Sequence, residues 1–202
     1  MQEGVLADVL LEGGRLTELS LVPKKQSSIL GDIYIGKVRN IAKNIQAAFV
    51  EIEHGTLCYL PLEEVKYPVY TRPKKQEKLA EGDELLVQVS REAVKTKAPS
   101  VTTNLNLTGK YLVLTTGNQI TGYSSKLKTE EKARMKALLE EWKPLPAGLI
   151  VRTNAGKAEQ AELRKEYERL CECYHYLTKQ AIHRTVYSCV MKSRPSYLTS
   201  IL

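Results

Sequence analysis

Between residues 31 and 103 the apolar residues come in short runs separated by turn signals, and that spacing predicts β-structure built from short strands. Ile33, Ile35 and Ile41, with Val38 between them, mark a first strand region rich in β-branched residues. Ala47-Ala48-Phe49-Val50-Glu51-Ile52 is a second, and Thr56-Leu57-Cys58-Tyr59-Leu60 a third, set off by His54-Gly55 and stopped by Pro61. A polar stretch with Pro68, Pro73 and several lysines follows. Glu81-Gly82-Asp83 then turns into Leu85-Leu86-Val87-Gln88-Val89, in which Leu85, Val87 and Val89 alternate. About five short strands of this kind predict a small barrel.

The flanks differ. Residues 4–12 and 15–22 are apolar-rich runs on either side of Gly13-Gly14, which reads as a β-hairpin. From 104 onward the pattern is mixed. Tyr111-Leu112-Val113-Leu114 is a short strand, Gly117-Asn118 a turn and Leu149-Ile150-Val151 another strand. Thr129 is expected to cap a helix running through Glu141, with Met135, Leu138, Leu139 and Trp142 as its apolar stripe and Pro144 as its stop. A longer helix is expected from about Ala158 to His183. There Leu163, Tyr167, Leu170, Tyr174, Leu177 and Ala181 form one apolar seam, read as core.

Charge narrows the class of partner. Residues 1–27 carry 3 basic and 4 acidic groups, residues 28–103 carry 11 and 10, and residues 104–202 carry 16 and 9. The whole excess of +7 thus equals that of the C-terminal half, which suits a polyanion. No apolar run reaches the roughly 18–20 residues that cross a bilayer, and Met1-Gln2-Glu3-Gly4 does not open a signal peptide, so the expectation is a cytoplasmic protein. Cys58, Cys171, Cys173 and Cys189 show neither C-x-x-C nor zinc spacing and are read as reduced and packed. Asp occurs only at 8, 32 and 83, too dispersed for a magnesium nuclease centre, and His54, His175 and His183 lack metal spacing. No catalytic or metal-binding residue is therefore expected.

Two places have binding chemistry. Phe49, the only Phe, precedes Tyr59 by one strand, and aromatic side chains on neighbouring strands can stack bases. Lys37, Arg39, Lys43, Arg91 and Lys97 lie near the same strands and can follow phosphates. The plainer alternative is that Phe49 belongs to the core. In Gly148-Leu149-Ile150-Val151-Arg152-Thr153-Asn154-Ala155-Gly156 an apolar strand delivers Arg and Thr into a small-residue turn before a helix. Arg can grip a phosphate with two hydrogen bonds and Thr can add a third. Arg152 could equally be an ordinary strand-end charge.

These motifs resemble the ribonuclease E/G family. The resemblance is carried by Ile33-Tyr34-Ile35-Gly36-Lys37-Val38, Gln46-Ala47-Ala48-Phe49-Val50-Glu51-Ile52, Tyr59-Leu60-Pro61-Leu62, Glu81-Gly82 and Val87-Gln88-Val89. It continues through Lys97, Val101-Thr102-Thr103, Leu107, Gly109, Tyr111-Leu112-Val113-Leu114 and Gly148 to Thr153. It runs from about residue 5 to 198 and is poor over 60–80 and 155–192.

The resemblance implies an α+β fold in three parts. The first strands of a truncated ribonuclease-H-like fold occupy 1–27. An OB-fold RNA-binding β-barrel is inserted over 28–103. A mixed α/β 5′-sensor region with the C-terminal helix fills 104–202. Phe49 and Tyr59 match the family's RNA-contacting aromatics, with Tyr for the usual Phe, and Lys97 matches a basic residue of the same module; Lys37 is added on the strand pattern. Gly109 and Val113 match backbone contacts of a 5′-phosphate pocket, and Arg152 and Thr153 its phosphate-binding side chains. Lys126 falls where family members often carry Arg.

The family acts on single-stranded RNA, preferably 5′-monophosphorylated, in processing and decay. Its magnesium-binding aspartates, a deoxyribonuclease-I-like catalytic part and a zinc-binding cysteine motif shared between protomers lie downstream and have no counterpart here. The chain is therefore expected to bind RNA without cleaving it, with magnesium and homo-oligomerisation belonging to the full-length enzyme. The apolar run from Tyr197 to Leu202 suggests a natural chain that continues. The alternatives are a stand-alone single-stranded RNA-binding protein without nuclease activity, and a scaffold whose barrel binds protein.

Overall fold

The computed structural model describes residues 5–12, 15–23, 28–74, 78–142 and 146–193, with the backbone alone described for 5–23. The Gly13-Gly14 turn, Pro144, Pro195 and the run 197–202 lie outside these residues. Strands β1 (Val5–Glu12) and β2 (Arg15–Pro23) pair antiparallel from Val5–Pro23 to Glu12–Arg15, as the Gly-Gly pattern leads one to expect.

The barrel begins with β3 (Ile33–Ala42), which is long enough to serve two neighbours. Its second half, Lys37–Ala42, pairs with β4 (Ala47–Glu51), which continues antiparallel to β5 (Leu57–Pro61). Its first half, Ile33–Lys37, pairs antiparallel with β6 (Glu84–Arg91). The ring is closed by β7 (Ser100–Thr102), antiparallel to β6 and parallel to β5 at Tyr59–Ser100. The result is a closed five-stranded mixed barrel of OB-like form. The closing strand β7 has only three residues, too few for an alternation that sequence reading could detect. Gly36 permits the closure: a Cβ there would lie 2.4 Å from Val50 Cγ1 and 3.0 Å from Val87 Cγ2, so no larger residue fits at this crossing.

Alternation explains both cores. Tyr34 and Val38 on β3, Val50 on β4, Cys58 and Leu60 on β5 and Leu85, Val87 and Val89 on β6 fill the barrel. Ile33, Ile35 and Leu86 point the other way. They enter a second core shared with Leu105, Leu112, Leu114, Met135, Trp142, Leu163 and Tyr167. All of 85–89 is therefore buried, on both faces of one strand.

The second core is covered by a four-stranded sheet of order β10-β11-β9-β8 and two helices. In chain order these are β8 (Asn106–Thr108), β9 (Leu112–Thr115), β10 (Thr121–Tyr123), α1 (Thr129–Glu141), β11 (Gly148–Val151) and α2 (Gln160–His175). Thr129 is the first residue of α1 rather than its cap, and Glu131 Oε2 accepts from Lys128 N (2.8 Å) to finish that end. The long C-terminal helical path reaches His183 as expected, but in three pitches. After α2 the backbone widens into a π-turn at Tyr176–Gln180 and tightens at Ala181–His183. Leu163, Tyr167, Leu170, Leu177 and Ala181 of the seam are buried, and Tyr174 packs against them half-buried. Trp142 at the end of α1 meets Tyr167 with ring centroids 4.9 Å apart.

Two features join the halves. Gln88, on the outer side of β6, donates to Gly31 O (2.9 Å) and Asn106 O (3.1 Å) and accepts from Asn106 N (2.7 Å). Its amide thus behaves like an extra peptide in the ladder. The last described strand, β12 (Cys189–Met191), returns to pair with Ile33 and Tyr34 of β3. Among the described residues no helix is long and apolar enough to cross a membrane.

Burial pushes the Cys58 thiol from 9.0 up to about 12. The unfolded chain ionises this group first, so its contribution to stability is full below pH 9.0 and is lost as the pH rises towards about 12. Urea unfolding across that window should show wild type losing stability more steeply than Cys58→Ala. Parallel pH profiles for the two proteins would contradict this.

Candidate nucleic-acid interface

The barrel presents an aromatic face outward. Phe49 and Tyr59 are direct cross-strand partners on β4 and β5, with ring centroids 6.2 Å apart at 73°. Both are half-buried and stand outside the two cores, so Phe49 is not a core residue. Asn40 and Ser100 extend the same row across β3 and β7. Tyr59 N donates to Pro99 O (2.8 Å), which brings the segment before β7 alongside the aromatic pair. That segment is a small hairpin. Val94 and Lys97 exchange backbone hydrogen bonds of 3.2 and 2.9 Å, and Lys97 is exposed. Lys37 lies two rows away, facing Glu51 on β4 and within 3.6 Å of Glu84 Oε1 on β6. Arg39 is held by Glu51 and donates to the Tyr187 hydroxyl (2.9 Å), so it joins the C-terminal region to the barrel.

The second site lies where β11 ends. Ile150 and Val113 are cross-strand partners, and Val113 also faces Thr108, so Val113 sits in mid-sheet. Arg152 follows the strand and Thr153 starts a 3-10 turn, Thr153–Lys157, that leads to α2. The exposed Arg152 guanidinium donates from Nη1 to Gly109 O (2.6 Å), and its backbone N donates to Tyr111 O (2.8 Å). Thr153 Oγ1 shares a 2.8 Å hydrogen bond with Ser124 Oγ. Ser124, Ser125, Ile150, Val151, Arg152, Thr153 and Asn154 surround an open cavity of about 450 Å³. The fold thus brings Arg152 and Thr153 into the cavity wall and Gly109 against the Arg152 guanidinium, whereas Val113 lies in mid-sheet as the partner of Ile150 and does not line the cavity. Lys126 is exposed in the turn beside them, its backbone N directed at Ser124 Oγ (3.3 Å), but its side chain is not part of the cavity wall. The corner combines one free-edged guanidinium with hydroxyls from Ser124, Ser125 and Thr153. Such a donor set suits a phosphate dianion.

The model of the Ribonuclease E/G family matches residues 106–202, the region that contains the cavity. Ribonuclease E of Escherichia coli (strain K12) is 32% identical over 170 residues, covering 80% of this chain and 16% of its own length. Ribonuclease G of Haemophilus influenzae is 30% identical over 172 residues, covering 80% of this chain and 35% of its own length.

The chain belongs to the ribonuclease E/G family.

It spans about a third of the length of its ribonuclease G relatives and about a sixth of the ribonuclease E one. Among the described residues no group of three or more His, Cys, Asp or Glu could hold a metal ion.

Sequence reading missed several residues that shape this family member's cavity. Ser124 and Ser125 have no periodic or motif signal, and Asn154 stands in the 148–156 segment without being singled out. Arg134 on α1 is another. Its Nη2 donates to Ala155 O (3.2 Å), Gly156 O (3.2 Å) and Ala158 O (2.8 Å), which fastens the turn after Thr153 to the helix. Glu166 on α2, outside the cavity but bound to the turn behind it, is also missed. Its only signal is its place beside Tyr167, four residues after Glu162, on the flank of the apolar seam.

Replacing Arg134 by Ala frees three carbonyls at partly buried positions. Arg134→Ala is expected to lower unfolding free energy by about 1–2 kcal/mol in urea titration. A change under about 0.3 kcal/mol would show that the turn holds its shape without the guanidinium.

Proposed function

We propose that this chain grips single-stranded RNA and recognises its 5′-monophosphorylated end, as the RNA-holding portion of a ribonuclease E/G-type endoribonuclease. In this reading the barrel, inserted after a strand pair of a ribonuclease-H-like fold, clamps the strand. Phe49 and Tyr59 stack on bases, and Lys97 and Lys37 meet phosphates. The corner of the second sheet takes the terminal phosphate. Arg152 and Thr153 bind its oxygens, Gly109 fixes the guanidinium through its carbonyl, Val113 supplies the strand beneath, and Lys126 adds long-range attraction. A terminal monophosphate carries more charge and more free oxygens than an internal phosphodiester, so a guanidinium with hydroxyls beside it favours ends. The observation that carries the reading is the 2.6 Å hydrogen bond from Arg152 Nη1 to Gly109 O, which orients the guanidinium at the mouth of a hydroxyl-lined cavity.

The described residues offer no carboxylate cluster suited to magnesium. In this reading cleavage belongs to the part of the full-length relatives that this chain does not span, where the family resemblance also places magnesium and zinc-linked oligomerisation. This chain's own work is positioning: energy from holding the end and the strand is available to place a distant scissile bond.

Binding of matched RNAs carrying a 5′-monophosphate or a 5′-hydroxyl, at one fixed salt concentration, tests the reading. The monophosphate should bind more tightly, and Arg152→Ala should abolish the difference while the protein stays folded. Equal dissociation constants for the two RNAs on wild type would refute the sensor. Phe49→Ala is expected to weaken both RNAs alike by about 1–3 kcal/mol, the range of one lost stacking contact. Unchanged affinity would remove the barrel face from the RNA path.

A further inference from the structure

Glu166 sits on α2, outside the cavity, and takes no part in the binding just described. Its carboxylate is nevertheless the most heavily engaged acid in the region. Oε2 accepts from Lys110 N (2.8 Å), and Oε1 accepts from both Tyr111 N (2.7 Å) and Leu112 N (2.8 Å). Three successive backbone N–H groups converge on one side chain, a nest of the kind that binds anions.

The other faces of the same peptides meet Arg152. In a trans peptide the N–H and C=O point in opposite directions. The unit joining Gly109 to Lys110 gives its N–H to Glu166 and its C=O to Arg152 Nη1 (2.6 Å). The unit joining Tyr111 to Leu112 gives its N–H to Glu166 and its C=O to Arg152 N (2.8 Å). Two peptide planes are thus held between the same acid and the same arginine. One fixes the guanidinium and the other the backbone that bears it. Negative charge at the N–H end and positive charge at the C=O end polarise the first unit in a single direction, which strengthens both hydrogen bonds. The neighbouring Tyr111 hydroxyl donates to Glu162 Oε2 (2.9 Å), a second fastening of this turn to α2.

Gly109 is bound to this arrangement. A Cβ on residue 109 would lie 2.4 Å from the Glu166 Cδ and Oε1 atoms. Its backbone is not in the left-handed region, so glycine is required here by the carboxylate and not by the turn.

We propose that Glu166 is the positioning residue of the phosphate pocket, setting the orientation of Arg152 through the 109–110 and 111–112 peptide planes and thereby the preference for a terminal phosphate. This rests on the reading of Arg152 as the phosphate ligand.

The test compares dissociation constants for 5′-monophosphate and 5′-hydroxyl RNA across Glu166→Ala, Glu166→Gln, Gly109→Ala and the Gly109→Ala/Glu166→Ala double variant. Glu166→Ala should cut the preference by about tenfold, the size of one charge-assisted hydrogen bond, and leave 5′-hydroxyl affinity as in wild type. Glu166→Gln keeps one acceptor oxygen for Tyr111 N and Leu112 N but loses the one for Lys110 N, so it should fall between. Gly109→Ala should lower the preference alone, by pushing the carboxylate out of the nest, and add nothing in the Glu166→Ala background. Folded single variants with the wild-type preference, or additive losses in the double variant, would overturn the proposal. If Glu166→Ala does not fold, Glu166→Gln and Gly109→Ala decide it alone. Absence of any preference in wild type would instead mark failure of the sensor reading beneath it.

Discussion

The strand Ile33–Ala42 is the constraint from which the rest of this molecule is assembled. It pairs with three other strands, β4 and β12 along one edge and β6 along the other. It is also buried on both faces in its first half, with Tyr34 inside the barrel and Ile33 and Ile35 in the core beyond it. A one-residue slip of this strand would exchange the two sets and put Ile33 and Ile35 inside a barrel sized for other side chains. Neither half can form its core without it. The barrel is therefore not an appended bead, and the corner at the end of β11 inherits its position from barrel packing.

Polar placement follows the same logic. Buried Asp32 (4% exposed) accepts from Ser193 N (2.6 Å), and its burial raises its carboxyl above the usual range. The site residues, by contrast, stand on outward strand positions or just past a strand end, beside buried apolar neighbours. Arg152 immediately follows buried Val151, and Phe49 and Tyr59 occupy outward positions between inward Ala48, Val50, Cys58 and Leu60. Period-two alternation thus both packs the barrel and decides which aromatic rings remain available.

This explains what could be read in advance. The hairpin, three of the barrel strands by their β-branched runs, the alternation at 85–89 and the Leu163–Ala181 seam follow from local pattern. The strand–turn–helix at 148–160 was legible too, because Gly148 to Val151 is apolar and the next residues are small. What could not be read depends on contacts distant in sequence. Ser100–Thr102, Asn106–Thr108 and Cys189–Met191 are strands of three residues whose identity comes only from their partners. Thr129 looked like a cap, yet the chain enters α1 one residue earlier and Glu131 completes the turn. Glu166 has no local sign of its role, since nothing nearby in sequence says that three amides 54–56 residues away will face it.

The Gln88 amide bears on how the two surfaces work together. By exchanging hydrogen bonds with Asn106 in both directions while also holding Gly31, it splices the barrel's ladder onto the first strand of the neighbouring sheet. A shared core and a spliced ladder leave little slack between the aromatic pair and Arg152. If RNA is held at both surfaces as proposed, such a frame would act as a ruler: strands long enough to reach across it would gain both grips, and shorter ones would forfeit one.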